Sequence, residues 1–208
     1  MPDAKALKGF SNVSYFPVTA NTTTAYTATP KTPLGAGARS CVKEDTKTEF
    51  KIPGDNGIYL QGSDYESTKL TIQVNEMGLK DLAALIGAIY DDTEDTGALE
   101  LIEGELDNAP QVALSFAGLL TDGSHRMYKY LSATLTSYKA DLKARLDTGN
   151  DVNGYTLEFL CVGRSADGRV RITKDSGAPD ETTGAVDLDW LDSIPEVPVD
   201  TEPEDQGT

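Results

Sequence analysis

Residues 112–136 read VALSFAGLLTDGSHRMYKYLSATLT, and this stretch decides the fold class. Val112, Leu114 and Phe116 alternate with Ala113, Ser115 and Ala117; Leu131, Ala133 and Leu135 alternate with Ser132, Thr134 and Thr136. A period of two is the mark of strands that bury one face. Between the runs, Asp122 and Gly123 supply the positive φ of a tight hairpin, so Val112–Leu120 is expected to pair with Arg126–Tyr138.

The same alternation continues outward from this hairpin. Leu70, Ile72 and Val74 oppose Lys69, Thr71 and Gln73, and Tyr155, Leu157, Phe159 and Cys161 form another apolar face. Asp167 and Gly168 predict a second hairpin, joining Tyr155–Gly163 to Val170–Thr173. One segment changes period: Leu82, Ala83, Ile86 and Ile89 fall at helical spacing, with Asn75 available as N-cap. The expected fold is mainly β: an antiparallel β-sandwich or partial barrel with one flanking helix over about residues 76–90.

Composition divides the chain of 208 residues into a body, 1–174, and an acidic, proline-containing C-terminal tail, 175–208. Within the body, residues 19–38 are rich in Thr, Pro and Gly and predict an extended arm or long loop. Residues 40–66 predict a ribbon, with Phe50 and Ile52 on one arm and Ile58, Tyr59 and Leu60 on the other around a Pro-Gly-Asp-Asn-Gly turn. The tail is too polar to fold by itself, so its order depends on docking of the cluster around Leu188, Trp190 and Leu191.

The formal charge is −16, from 34 acids and 18 bases, and no base follows Lys174. Phosphate neutralisation needs lysine and arginine, so a nucleic-acid-gripping role is disfavoured. No apolar run approaches a membrane span and no signal-peptide core opens the chain, which predicts a protein made and used in solution, without membrane contact. Cys41 and Cys161 form no metal-type spacing and read as free, structural thiols.

Catalytic signatures are absent from the sequence: there is no GxSxG, phosphate-loop or dinucleotide fingerprint. The single histidine, His125, reads as an exposed hairpin residue. The loop after the helix places Asp92, Glu94 and Glu103 at calcium-loop positions 1, 3 and 12, but Thr96 is a poor fifth-position ligand and Gly104 opposes an exiting helix. No enzyme and no cofactor is expected; a solvated acidic loop is the plainer reading.

The order of elements adds a further indication. An alternating strand, the segment 75–87 (NEMGLKDLAALIG), an acidic loop, Pro110–Phe116 and a hairpin into Tyr128–Leu131 together resemble the major tail proteins of long-tailed bacteriophages, over roughly residues 40–165. The resemblance implies a virion tail-tube subunit, made in the host bacterial cytoplasm. Its hexameric rings would stack into a conduit through which phage DNA is ejected without specific binding. Its partners would be itself and the tape-measure, tail-tip and tail-terminator proteins. The loop bridging successive rings would hold Phe50, Ile52, Ile58, Tyr59 and Leu60, with residues 1–38 as the matching arm. A channel wall made of small, neutral or acidic side chains fits Glu66, Thr71, Gln73, Ser132, Thr134, Thr136 and Glu158, provided that Lys69 is paired with Glu158 or Glu66. A capsid-decorating or receptor-binding virion protein on a similar sandwich is the alternative.

Overall fold

The computed structural model describes residues 5–55, 57–92, 100–105, 107–141, 154–180 and 185–196. Among them, nine strands join one antiparallel sheet. Its main path runs β2 (Tyr26–Ala28), β1 (Leu7–Asn21), β8 (Gln111–Leu120), β9 (His125–Asp141), β10 (Gly154–Cys161), β5 (Gly57–Glu76) and β4 (Ala36–Gly54). The short β3 (Thr32–Pro33) pairs with β1, and β11 (Arg171–Asp175) pairs with β9. A separate ribbon joins β6 (Ile89–Asp91) to β7 (Glu100–Ile102), and the helix α1 spans Leu79–Ile86. The architecture is mainly β, as the alternation predicts.

The central hairpin forms as expected, from Gln111 opposite Thr134 to Leu119 opposite His125, with Gly123 at φ 84° in the turn. Its apolar positions face the principal core: Val112, Leu114, Phe116, Tyr130, Ala133 and Leu135 meet Leu70, Ile72 and Val74 of β5 and Leu157 and Phe159 of β10. Aromatic rings reinforce this packing, with Phe116 stacked on Tyr128 and Tyr130 at centroid distances of 5.2 and 5.9 Å. The sheet curls around this core, so that Phe10 of β1 and Cys41 of β4 line the same cleft from opposite edges. Cys41 and Cys161 are free, and burial pushes the Cys41 thiol up to about 12, which keeps it unreactive.

The structure corrects four expectations. The helix is shorter than residues 76–90 and Asn75 is not its cap: β5 stays paired to β4 through Glu76, so the backbone there is committed to the sheet. Gly78 occupies the N-cap without a side-chain bond, and Ile89 belongs to β6. β11 does not pair with β10, because both edges of β10 are already taken by β9 and β5. It runs instead along the remainder of β9, Arg171 opposite Tyr130, so β10 and β11 read as one strand interrupted by the loop 162–170. Residues 19–38 are not a free arm: they carry β2 and β3 and bury Tyr26 and Leu34. The Tyr26 hydroxyl donates to the Leu131 carbonyl, which ties this segment to the centre of β9.

The helix ends at Gly87, whose φ of 78° lies in the left-handed region and whose added Cβ would sit 2.2 Å from the Asn108 carbonyl oxygen. Gly87→Ala is expected to cost about 2 kcal/mol or more, from strain plus displacement of the 107–109 backbone. A urea titration followed by circular dichroism measures it; an unchanged midpoint would show that this turn is freely remodelled.

Candidate assembly surfaces

The sheet has a second face, and its two halves differ. Over β1, β8 and the first half of β9 it is covered. Over the second half of β9, β10, β5 and β4 it is open. In strand register the open half presents Thr134 and Thr136, then Thr156, Glu158 and Leu160, then Lys69, Thr71 and Gln73, then Ser40, Val42 and Glu44. These side chains are half-buried or exposed. Ser40 donates to Gln73, and Thr136 donates to the Glu158 carbonyl. Lys69 lies 3.1 Å from the Glu158 carboxylate, so its charge is matched locally. Lys139, opposite Thr156 and exposed, adds a cation at the strand end.

Two residues expected on this wall do not form its open part. Ser132 is completely buried: its hydroxyl accepts a 2.6 Å hydrogen bond from Gln111 and its carbonyl accepts from Val162 at the start of the 162–170 loop. Glu66 sits at the base of the β4–β5 ribbon, where Thr48 donates to its carboxylate. Thr71, Gln73, Thr134, Thr136 and Glu158 share the open half.

β4 and β5 extend far past the sheet. β10 reaches only Thr68 on β5, yet β4 and β5 remain paired to Gly54 opposite Gly57. A two-stranded ribbon without a third strand or a helix against it is marginal in water. One side of it is apolar: Ile52 pairs with Leu60, and the Phe50 ring lies over Gly62, where an added Cβ would come within 2.6 Å of the ring. Phe50, Ile52 and Leu60 are 37%, 46% and 49% exposed, and Tyr59 on the other side is 82% exposed. The Ile58 side chain lies outside the described residues. By register, the apolar side continues the open half of the sheet.

Asp45 braces the root of the ribbon. It accepts from Thr68 and is paired with Lys43 at 2.8 Å and Arg171 at 3.3 Å, while Tyr65 donates to Thr68 and to the Cys161 carbonyl. Burial works against its charge, but the Lys43 and Thr68 hydrogen bonds and the Arg171 and Lys43 charges outweigh that and bring the carboxyl down to about 2. A depressed carboxylate contributes stability above its unfolded value near 3.8 and loses it as pH falls towards 2. Asp45→Asn is therefore expected to cost about 1–2 kcal/mol at neutral pH and almost nothing at pH 2. Parallel denaturant titrations across that range check it, and a cost independent of pH would refute the electrostatic brace.

The covered half holds the C-terminal strap, residues 185–196. Leu191, fully buried, packs on Ala117 and Met127 with Leu188 and Trp190 beside it, apart from the principal core. Ser115 donates to the Leu191 carbonyl at 3.1 Å, and Lys31 pairs with Asp192. Arg164, 1% exposed, grips Asp167 with Nε and Nη2, donates from Nη1 to the Pro195 carbonyl at 2.8 Å, and lies 5.1 Å from the Tyr26 ring. It thereby joins the 162–170 loop, β2 and the strap.

The calcium-like loop gains no support. Its flanks are the strands β6 and β7, not helices, and Glu103 accepts a 2.6 Å bond from Tyr138, whose hydroxyl is thereby pushed up to about 12. Glu94 lies outside the described residues. Among the described residues no group of three or more His, Cys, Asp or Glu is placed to hold a metal. His125 is not the freely exposed residue expected: it opens β9, with its Nδ1 buried and its backbone bonded to Ser176. No helix among the described residues is long and apolar enough to cross a membrane.

No protein-family model and no curated protein matches the chain. Among the solved structures that are similar is a chain described as "Structure of a type six secretion system protein", at 10% identity and a TM-score of 0.35, with 85% of this chain and 100% of that chain covered.

Sequence reading missed two buried charged residues under the strap, Lys129 and Arg164. Lys129 is 2% exposed, with its ammonium 3.9 Å from the centre of the Trp190 ring. Its position between Tyr128 and Tyr130 is a signal in the alternation, since it fixes Lys129 on the face away from the principal core. Arg164 has no comparable signal, because the groups that bury it come from distant segments.

Proposed function

We propose that this chain is a structural, non-catalytic subunit that builds a hollow tube, in the manner of the phage major tail proteins it resembles. Hexameric rings would stack, with the open sheet half facing the bore and the β4–β5 ribbon reaching the next ring. The observation that carries this reading is the ribbon: an extended hairpin whose apolar side, Phe50, Ile52 and Leu60, finds no cover among the described residues and needs a partner to be stable. The open half adds to it. Hydroxyls, an amide and a matched Lys69–Glu158 pair give phosphate few cations to hold, so DNA would pass without adhering. In this role the tape-measure, tail-tip and tail-terminator proteins would meet the ends of the tube, and the particle would be the virion tail.

Negative-stain microscopy of the concentrated protein tests the proposal. Rings or tubes with a central stain-filled hole are the expected result. Isolated particles at every concentration would overturn it, and discrete knobs or spikes would favour a capsid-decorating or receptor-binding role.

A further inference from the structure

The face of the curled sheet that holds the principal core also forms a mouth. Period two sets Arg126, Tyr128 and Tyr130 on one face of β9, and β11 lays Asp175, Thr173 and Arg171 directly opposite them. Cys41 and Lys43 reach the same space from β4, and Leu7 and Phe10 close it from β1. Between them lies a cleft of about 470 Å³ lined by Phe10, Phe116, Tyr128 and Tyr130. Small-molecule sites run from roughly 300 to 1,000 Å³ and are found in the mouths of barrels. The wall is a run of rings: Phe10 meets Phe116 edge-on at 5.5 Å, and Phe116 stacks on both tyrosines. Gly118 lines the cleft too, and its missing side chain leaves room beside Leu7.

This apolar cleft opens onto charge. Lys43 and Tyr128 also border a second depression, which adds Arg126, Arg171 and Thr173. Two carboxylates answer the three cations: Asp175 accepts from two Arg126 nitrogens at 2.6 and 2.8 Å, and Asp45 is shared between Lys43 at 2.8 Å and Arg171 at 3.3 Å. The nearby Lys5–Asp122 pair is neutral in itself. One positive charge is therefore in surplus at this rim, on a chain of net charge −16. Among the described residues Lys43 has only its share of Asp45, and its side chain is 40% exposed, which leaves ammonium donors for a further anion.

We propose that this mouth binds a small aromatic monocarboxylate, its ring system lying against Phe10, Phe116 and Tyr128 and its carboxylate accepting from Lys43. The aromatic wall selects a flat apolar body, which extends the stack already present. The single surplus charge selects a monoanion: a neutral compound of the same shape forgoes the charge-assisted hydrogen bond, and a cation meets a like charge. Every group in the site belongs to one chain, so the inference goes beyond the tube reading and does not depend on it.

The test titrates naphthoate, and its neutral counterpart naphthylmethanol, into the dilute full-length chain, followed by calorimetry and by amide chemical shifts. Saturable naphthoate binding is expected below about 1 mM, with shifts concentrated at Phe10, Lys43 and Tyr128, and naphthylmethanol should bind about tenfold more weakly. Lys43→Gln should erase that tenfold preference; it leaves Asp45 with Arg171 and Thr68, so it reads the charge on a folded chain. Gly118→Leu fills the cleft from β8, displacing only the exposed end of Leu7, and should abolish binding of both compounds. No saturable binding in this range, equal affinity for the two compounds, or binding that survives Gly118→Leu would each overturn the proposal. Tube formation is scored separately by microscopy on concentrated protein, so either result can fail without the other.

Discussion

Ile52→Lys combined with Leu60→Glu is expected to abolish tube formation while leaving the isolated chain folded, with its melting temperature within about 3 °C of the parent. Both side chains are nearly half exposed, so their replacement empties no core position. The two are cross-strand partners, and opposite charges at such a pair keep the ribbon registered. What the change removes is the apolar side of the ribbon, where Phe50, Ile52 and Leu60 lie side by side without cover among the described residues. Microscopy reads assembly, and a circular dichroism melt reads folding. Tubes indistinguishable from those of the parent would mean that the ribbon is not the joint between rings.

Arg164→Met is expected to lower stability by about 3 kcal/mol and to release the strap. The side chain is fully enclosed, and truncating it leaves the Pro195 carbonyl without its donor and the Asp167 carboxylate with Arg169 alone. Arg164→Lys keeps the charge but loses the fork that satisfies three groups in different directions, so most of the loss should remain. Trp190 is the only tryptophan, and its emission reports the strap directly: a red shift at denaturant concentrations where the sheet is still intact is the expected signature. If strap and sheet unfold together at the parent's midpoint, Arg164 is not a latch.

The sheet was legible in the sequence wherever large apolar side chains alternate with small or polar ones, even where both faces end up covered. The 112–136 hairpin, β5 and β10 follow their alternation, and Asp122–Gly123 sets the turn where its chemistry requires. Legibility failed where the outcome depends on which edges are already occupied. Nothing local in Val170–Thr173 tells that β10 has no free edge, and nothing in Asn75 tells that β5 continues past it. The surfaces divide in the same way. Thr71, Gln73 and Glu158 follow from period two, whereas the burial of Ser132 goes with its bonds to Gln111 and Val162 and that of Lys129 with a strap sixty residues further along the chain. Composition showed the strap's apolar cluster but not its receptor, since that receptor is made of residues that read as an outward-facing, polar side of a strand.

The enclosure of Lys129 and Arg164 bears on how two subunits first meet. With Lys129 enclosed and Arg164 matched by Asp167, neither offers an open cation to an approaching copy, which meets a chain of formal charge −16. Dilute buffer then imposes a barrier to encounter between molecules that are each fully folded, and dissolved electrolyte lowers it by shortening the reach of the repulsion. The ionic medium, and not the completion of folding, would set the moment at which growth begins.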